Sequence, residues 1–144
     1  MHETILVTGG AGYIGSHTAI ALVEQGHQVV IADVLSNSSP VAVERVAELS
    51  GQDVAFHRID LTDADALADV FAAHTISAVI HFAGLKAVGE SVEKPLAYYH
   101  NNLVSTMNLL EAMAANGVTD LVFSSSATVY GEPEVLPLPE TARI

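Results

Sequence analysis

Val7-Thr8-Gly9-Gly10-Ala11-Gly12-Tyr13-Ile14-Gly15 is the stretch whose reading decides the fold. It follows the apolar run Ile5-Leu6-Val7 and opens a segment with helical periodicity. Glycines at 10, 12 and 15 fit G-x-G-x-x-G, and those at 9, 12 and 15 fit the related G-x-x-G-x-x-G spacing. A tight strand-to-helix turn needs a residue with no Cβ. So does a backbone that approaches a pyrophosphate, and so does a helix packed close on its strand. The N–H groups at the helix start then attract phosphates. An acidic residue follows at the right distance, Asp33. Strand, glycine turn, helix and acid together predict dinucleotide binding, with a merely structural tight turn as the alternative.

Outward from this turn, strand-like apolar runs alternate with helix-like segments. Ile5–Val7 reads as a strand, and Gly12–Gln25 as a helix that Gly26 ends. Val29–Ala32 is a second strand. After a loop at Ser36–Pro40, a helix covers Val41–Leu49 and stops at Ser50-Gly51. Val54–Ile59 fits a third strand. Thr62 is expected to cap a helix over Asp63–Ala73, whose aspartates at 63 and 65 suit the helix dipole. Ala78–Phe82 is a fourth strand. Pro95 suits the first turn of a long helix reaching Asn116-Gly117, and Leu121–Phe123 is a fifth strand. This alternation predicts an α/β fold with a Rossmann-like, doubly wound parallel sheet. Right-handed crossovers make the strand order 3-2-1-4-5. Residues 1–144 read as one incomplete Rossmann domain, with no substrate domain. Glu132–Pro139, with prolines at 133, 137 and 139, reads as a loop leading onward, and the ending at Ile144 reads as a cut.

A chain of 144 residues, half of them hydrophobic, supports one domain with a real core. The formal charge of −12 argues against nucleic acid and anionic membrane partners. Any phosphate site must therefore rely on backbone N–H groups and helix termini. There is no cysteine, so disulfide and thiolate chemistry are excluded. No apolar run approaches the roughly 18 residues of a membrane span. The chain opens without a basic leader, and the reading is a soluble cytoplasmic protein.

In open α/β sheets, ligands bind beyond the carboxyl ends of the strands. Those ends here are the glycine turn, Asp33, Asp60-Leu61, Phe82-Ala83-Gly84-Leu85-Lys86 and Ser124-Ser125-Ser126. A carboxylate at Asp33 suits both adenosine ribose hydroxyls and repels a 2′-phosphate, which favours NAD over NADP; a loop cap is the alternative. Asp60 suits either an adenine contact or a helix-start cap. Gly84 permits close approach of backbone to ligand, as it would a helix-entry turn. Lys86 suits a phosphate or sugar hydroxyl, or plain solvent. His81 reads as a packed, hydrogen-bonded core residue rather than a catalyst, and the other histidines show no metal-ligand spacing. On the long helix, Leu96, Tyr99, Leu103, Met107, Leu110 and Met113 recur at three or four residues and are expected in the core. A second apolar face with Tyr98 and Val104 is left to pack on another subunit. Asn101 interrupts that region with an amide that has the crevice or solvent to face.

Several stretches together resemble the extended short-chain dehydrogenase/reductase superfamily, and within it the UDP-glucose (UDP-galactose) 4-epimerase family. They are Val7–His17, His81–Ser91, Tyr98-Tyr99-His100-Asn101-Asn102 and Phe123–Gly131. The glycine turn marks the superfamily, whereas His81–Ser91 and Ser124–Gly131 are far more specific. The resemblance implies NAD contacts from the turn through Tyr13 and Ile14, and from Asp33, Val34, Leu35, Ser36, Asn37 and Ser38. It also implies contacts from Asp60 and Leu61, from Phe82, Ala83, Gly84, Leu85 and Lys86, and from Asn101 and Ser124. It makes Ser126 the hydroxyl that bonds the sugar 4-hydroxyl and relays its proton. Val34 departs from the polar residue the family tends to place there. The implied reaction is oxidation and reduction at carbon 4 of a UDP-sugar, with a tyrosinate as base whose pKa a lysine four residues on lowers. This sequence holds no Tyr-x-x-x-Lys: Tyr13, Tyr98, Tyr99 and Tyr130 are followed four on by His17, Asn102, Leu103 and Glu134. The chain is therefore expected to bind NAD but not to turn over alone. The family's usual dimer implies self-association, as does an unpaired edge at the fifth strand. Alternatives are another NAD-dependent nucleotide-sugar dehydratase or decarboxylase, or a non-catalytic NAD-binding module.

Overall fold

The computed structural model describes residues 3–131 and 135–143. One sheet contains β1 (Thr4–Thr8), β2 (Gln28–Asp33), β3 (Ala55–Arg58), β4 (Ala78–His81) and β5 (Asp120–Phe123). All pairings are parallel and the order is β3-β2-β1-β4-β5, as the sequence predicts. The intervening helices are α1 (Tyr13–Glu24), α2 (Pro40–Ser50), α3 (Ala64–Ala73), α4 (Val88–Glu93) and α5 (Pro95–Ala115). A 3-10 turn at Ala127–Tyr130 follows β5. Within the expected loop at 132–139, Glu132, Pro133 and Glu134 lie outside the described residues.

Side chains alternate across each strand, so the central strands feed two cores. Leu6, Val30 and Val79 meet Leu67, Val70 and Phe71 of α3 and Leu109 and Met113 of α5. Ile5, Val7, Val29 and Ile31 meet Ala19 and Val23 of α1 and Val43 and Val46 of α2. Helices on both faces explain why these strands read as unbroken apolar runs. Each fully buried side chain of this size stabilises the fold by about 1.5–3 kcal/mol. β5 is the exception: it lies at the sheet edge with Val122 and Phe123 exposed.

Local signals set the helix ends, with one shift. Ser39 caps α2, its Oγ accepting the Val41 N–H at 3.3 Å, and Pro40 fills the first turn. The cap of α3 is Asp63 rather than Thr62. The Asp63 carboxylate accepts the N–H groups of Asp65 and Ala66, both at 3.1 Å, reaching two donors that a displaced hydroxyl would miss. Thr62 instead donates its N–H and its hydroxyl to Asp60 Oδ1, at 2.9 and 2.8 Å. Asp60 thus ties the turn that precedes the helix, while the helix-start cap that the sequence offered for it falls to Asp63.

The long helix corrects the sequence reading of its faces. Its buried residues are Tyr98, Ser105, Leu109 and Met113. Of the stripe expected in the core, only Met113 is buried; Leu96 is 82% exposed and Tyr99 65%, and Leu103, Met107 and Leu110 are exposed too. Tyr98, expected on a free face, is buried and donates its hydroxyl to Glu90 Oε2 at 2.8 Å. Val104 is only partly exposed. Apolar residues surround this helix, so spacing alone did not choose the face. The choice was made by α4, which the sequence reading lacked: Glu90 also takes Lys94 at 3.0 Å and so anchors the start of α5.

His81 pins β1, β4 and α5 together. Thr106 donates its hydroxyl to the Asn102 carbonyl at 2.8 Å, so it accepts from His81 Nε2–H at 3.1 Å. Nδ1 is then the acceptor, and the buried Thr8 hydroxyl donates to it at 2.6 Å. The neutral tautomer satisfies every member of this chain. Burial, helped by the charge of Lys86, lowers the His81 pKa from 6.5 to about 4. His57, lowered by burial and then by its neighbour His74, acts in the same direction. Folding therefore disfavours proton uptake. The stability held above pH 6.5 is expected to fall as the pH drops towards 4, by about 3 kcal/mol through His81. Urea midpoints across this window check it: His81→Gln should flatten the slope, and an unchanged slope refutes the assignment.

Candidate functional site

A cleft of about 340 Å³ opens beyond the carboxyl ends of β1, β2, β3 and β4. Its floor is the glycine turn. Gly9 has φ +68°, a left-handed conformation that favours glycine, and a Cβ there would lie 2.6 Å from the Ala83 nitrogen. A Cβ on Gly15 would meet the Gly9 carbonyl oxygen and come within 2.7 Å of Gly10 Cα. Absent Cβ atoms therefore let α1 start against the turn, and let the loop after β4 close on it from the other side. No side chain caps α1, and its first turn holds no acidic residue. Its N-terminal dipole and N–H groups thus face the cleft, which suits an anion.

Asp33 sits at the end of β2, buried, with its carboxylate aimed back at this turn. Oδ2 accepts the Ala11 N–H at 3.0 Å. Oδ1 accepts the Leu35 N–H at 2.8 Å and the Ser38 hydroxyl at 2.9 Å. An ionised carboxylate has about four acceptor sites, so one remains after these three bonds. The cleft is therefore lined by a fixed negative group on the β2 side and by Lys86 on the β4 side. Lys86 is the one cationic side chain lining it among the described residues.

Most of the residues singled out in the sequence line this space: Gly9, Gly12, Tyr13, Ile14, Gly15, Asp33, Val34, Ser36, Asn37, Asp60, Leu61, Phe82, Ala83, Gly84, Leu85, Lys86 and Asn101. Tyr13 is 83% exposed at the mouth, an apolar ring standing over a polar floor. Five others are placed outside the lining. Gly10 turns under the sheet, where a Cβ would lie 2.7 Å from Ile31. The turn thus uses glycines 9, 12 and 15 for the cleft and Gly10 for packing. Leu35, at φ +59°, and Ser38 hold Asp33 from behind. Ser124 donates its N–H to the His81 carbonyl at 3.1 Å, closing the end of β5. Ser126 begins the turn after β5, its carbonyl accepting the Val129 N–H at 3.2 Å.

Ala32, Ile59 and Ser105 also line the cleft, and sequence reasoning missed them. Ser105 was within reach of it, because it stands one helical turn beyond Asn101 on α5. Ile59 carried no signal beyond its position before Asp60. No helix among the described residues is long and apolar enough to cross a membrane.

Comparison with known proteins agrees with this architecture. A UDP-glucose 4-epimerase of Schizosaccharomyces pombe is 59% identical over 98% of this chain and 41% of its own length. One from Bacillus subtilis is 60% identical over 94% of this chain and 40% of its own. The chain thus spans about two-fifths of the curated relatives it matches. Among solved structures, UDP-glucose 4-epimerase from Bifidobacterium longum in complex with NAD+ and UDP superposes with a TM-score of 0.92. It has 52% identity, with 97% of this chain and 42% of that one covered. The Thermus thermophilus enzyme in complex with NAD gives 0.82 at 37% identity, with 98% of this chain and 42% of that one covered. The NAD dependent epimerase/dehydratase family profile matches residues 5–143. Glycine turn, strand order and profile agree: the chain belongs to the NAD dependent epimerase/dehydratase family.

Proposed function

We propose that this chain is the NAD-binding part of an enzyme that interconverts UDP-glucose and UDP-galactose. The observation that carries the reading is the bond from the Ala11 N–H to Asp33 Oδ2, which joins the phosphate-accepting turn to the ribose-accepting carboxylate. The site fits the coenzyme. Its turn has no Cβ where a diphosphate would approach, and Asp33 has one acceptor site left for a ribose hydroxyl. The α1 terminus would hold the diphosphate, and Asp33 the adenosine ribose. Leu61 and Ile59 would form an apolar wall for the adenine, with Lys86 and Asn101 towards the nicotinamide end. When bound, NAD supplies the oxidising and reducing equivalents at carbon 4 of the sugar. Ser126 would orient the 4-hydroxyl and pass on its proton. A cytoplasmic setting belongs to the same reading.

Calorimetry of the chain with NAD is expected to give saturable binding. Gly15→Ala should weaken it by at least about tenfold, because the new methyl must push α1 off the turn. Asp33→Asn should cost about tenfold for NAD and narrow the gap to NADP. No heat with either oxidised or reduced coenzyme overturns the reading. Activity is a separate matter. The sequence lacks a Tyr-x-x-x-Lys pair to supply the base, so the pure chain with NAD and UDP-galactose should form no UDP-glucose. Measurable turnover refutes that.

The proposal extends to a homodimer. Leu96, Tyr99, Leu103, Met107 and Leu110 of α5 are exposed and recur every three or four residues along that helix, and Val88 and Val92 of the preceding α4 are exposed as well. A continuous apolar stripe of this kind favours a partner helix over water, and the same stripe on a second copy meets it by two-fold symmetry. Sedimentation at high concentration should show a dimer that Leu103→Glu with Met107→Glu converts to monomer. A monomeric parent chain defeats the proposal.

A further inference from the structure

We infer that Asn102 is a positioning residue, which clamps the backbone of Leu85 and so fixes the loop that presents Lys86 to the cleft. The inference rests on the cofactor reading above and adds to it a residue outside the cleft lining. The carboxamide of Asn102 engages both polar groups of one loop residue. Its Oδ1 accepts the Leu85 N–H at 2.8 Å, and its Nδ2 donates to the Leu85 carbonyl at 3.0 Å. Asn101 Nδ2 donates to the same Oδ1 at 3.0 Å. The orientation of the amide is thereby fixed, since turning it over would set N–H groups against N–H groups.

The clamp acts where the loop has few other ties. At its start, the Phe82 N–H donates to the Thr8 carbonyl at 2.9 Å, and Ala83 packs on Gly9. Past Gly84 the chain leaves the sheet, and Asn102 is what holds it to the first turns of α5. Lys86 follows Leu85 directly, and its Cε would lie 3.9 Å from a Cβ on Gly84. The clamp therefore sets where the one lysine of the cleft stands. Asn102 is itself held, because its helix is pinned to the sheet through Thr106 and His81.

The strand order separates two halves of the cleft. Asp33 belongs to β2 and the Leu85 loop follows β4, on opposite sides of β1. A dinucleotide lying across the glycine turn would place one nucleoside on each side. Adenosine diphosphate would need only the turn and the β2 side, so Asn102 should matter for NAD and not for ADP. A general loss of stability would weaken both ligands alike.

The test uses the full 144-residue chain and has two readouts. The first is amide hydrogen exchange of Leu85 without ligand. Asn102→Leu should speed it about tenfold or more while the amides of β1 and β4 keep their protection. Asn102→Asp, which keeps the acceptor but loses the donor, should fall between and serves if the leucine variant does not fold. Unchanged Leu85 exchange in both overturns the clamp. The second readout is titration with NAD and with ADP. Asn102→Leu should weaken NAD about tenfold and leave ADP within about twofold, and a Lys86→Met background should remove most of that NAD effect. Equal losses for both ligands, or additive effects of the two substitutions, overturn the positioning role. A wild-type chain that takes neither ligand defeats the cofactor reading and the positioning role with it, while Leu85 exchange still decides the clamp.

Discussion

Backbone meets backbone at the glycine turn, and the rest of the cleft depends on that contact. β1 delivers Gly9 at a left-handed angle, α1 begins against it, and the loop after β4 comes to within van der Waals reach from the far side. A methyl group at Gly9 or Gly15 would occupy space already filled by main-chain atoms. Main chain yields less readily than a side chain, because moving it displaces a whole element. Three elements therefore share one point of closest approach, and Asp33 adds a fourth by reaching the Ala11 N–H from β2. The cleft owes its shape to these few ångströms more than to any side chain in its walls.

The same contact bears on how a chain of net charge −12 would host the diphosphate of the proposed coenzyme. Its bulk field repels anions, so attraction must be local. Fixed N–H dipoles at the start of α1 provide it at no cost in lysine or arginine. The carboxylates nearest the cleft are turned to other work. Asp33 takes three donors from its own surroundings, Asp60 holds Thr62, and Asp63 caps α3. Neither Asp33 nor Asp60 stands over the α1 terminus as an unpaired competitor. Under the proposed coenzyme reading, the Asp33 carboxylate would oppose a second anion beside it and so favour a free 2′-hydroxyl.

The sheet was legible because parallel strands buried on both faces write themselves as apolar runs. Ile5–Val7, Val29–Ala32 and Ala78–Phe82 leave little room for another reading. Strand order followed from handedness, and the glycine turn with Asp33 located the cleft. Two features were not legible. Gly10 and Gly12 satisfy the motif equally on paper, and only the position of Ile31 under the turn assigns Gly10 to packing. The face of α5 was misread because its apolar residues surround the helix, and burial was decided by partners outside the helix. His81, Leu61 and α4 all bear on that choice, and none leaves a mark on the spacing of Leu96 to Met113. Leu35 and Ser38 were singled out as coenzyme contacts, yet they hold Asp33 from behind, a role for which the sequence offers no separate signal.

That misreading has a physical meaning. A helix with one job carries its apolar residues on one side. α5 has them on two sides because it faces two environments. Its inner face combines Leu109 and Met113 in the core with hydroxyls and amides that serve the cleft end: Thr106 on His81, Asn102 on Leu85, Ser105 and Asn101 at the lining. Its outer face keeps the exposed stripe. A rigid helix cannot move one face without the other. Any contact that the outer stripe makes will therefore bear on the position of Asn102, and through Leu85 on Lys86. The polar inner residues keep the register of α5 from sliding, since a shift by one residue would leave the buried nitrogen of His81 and the backbone of Leu85 without partners.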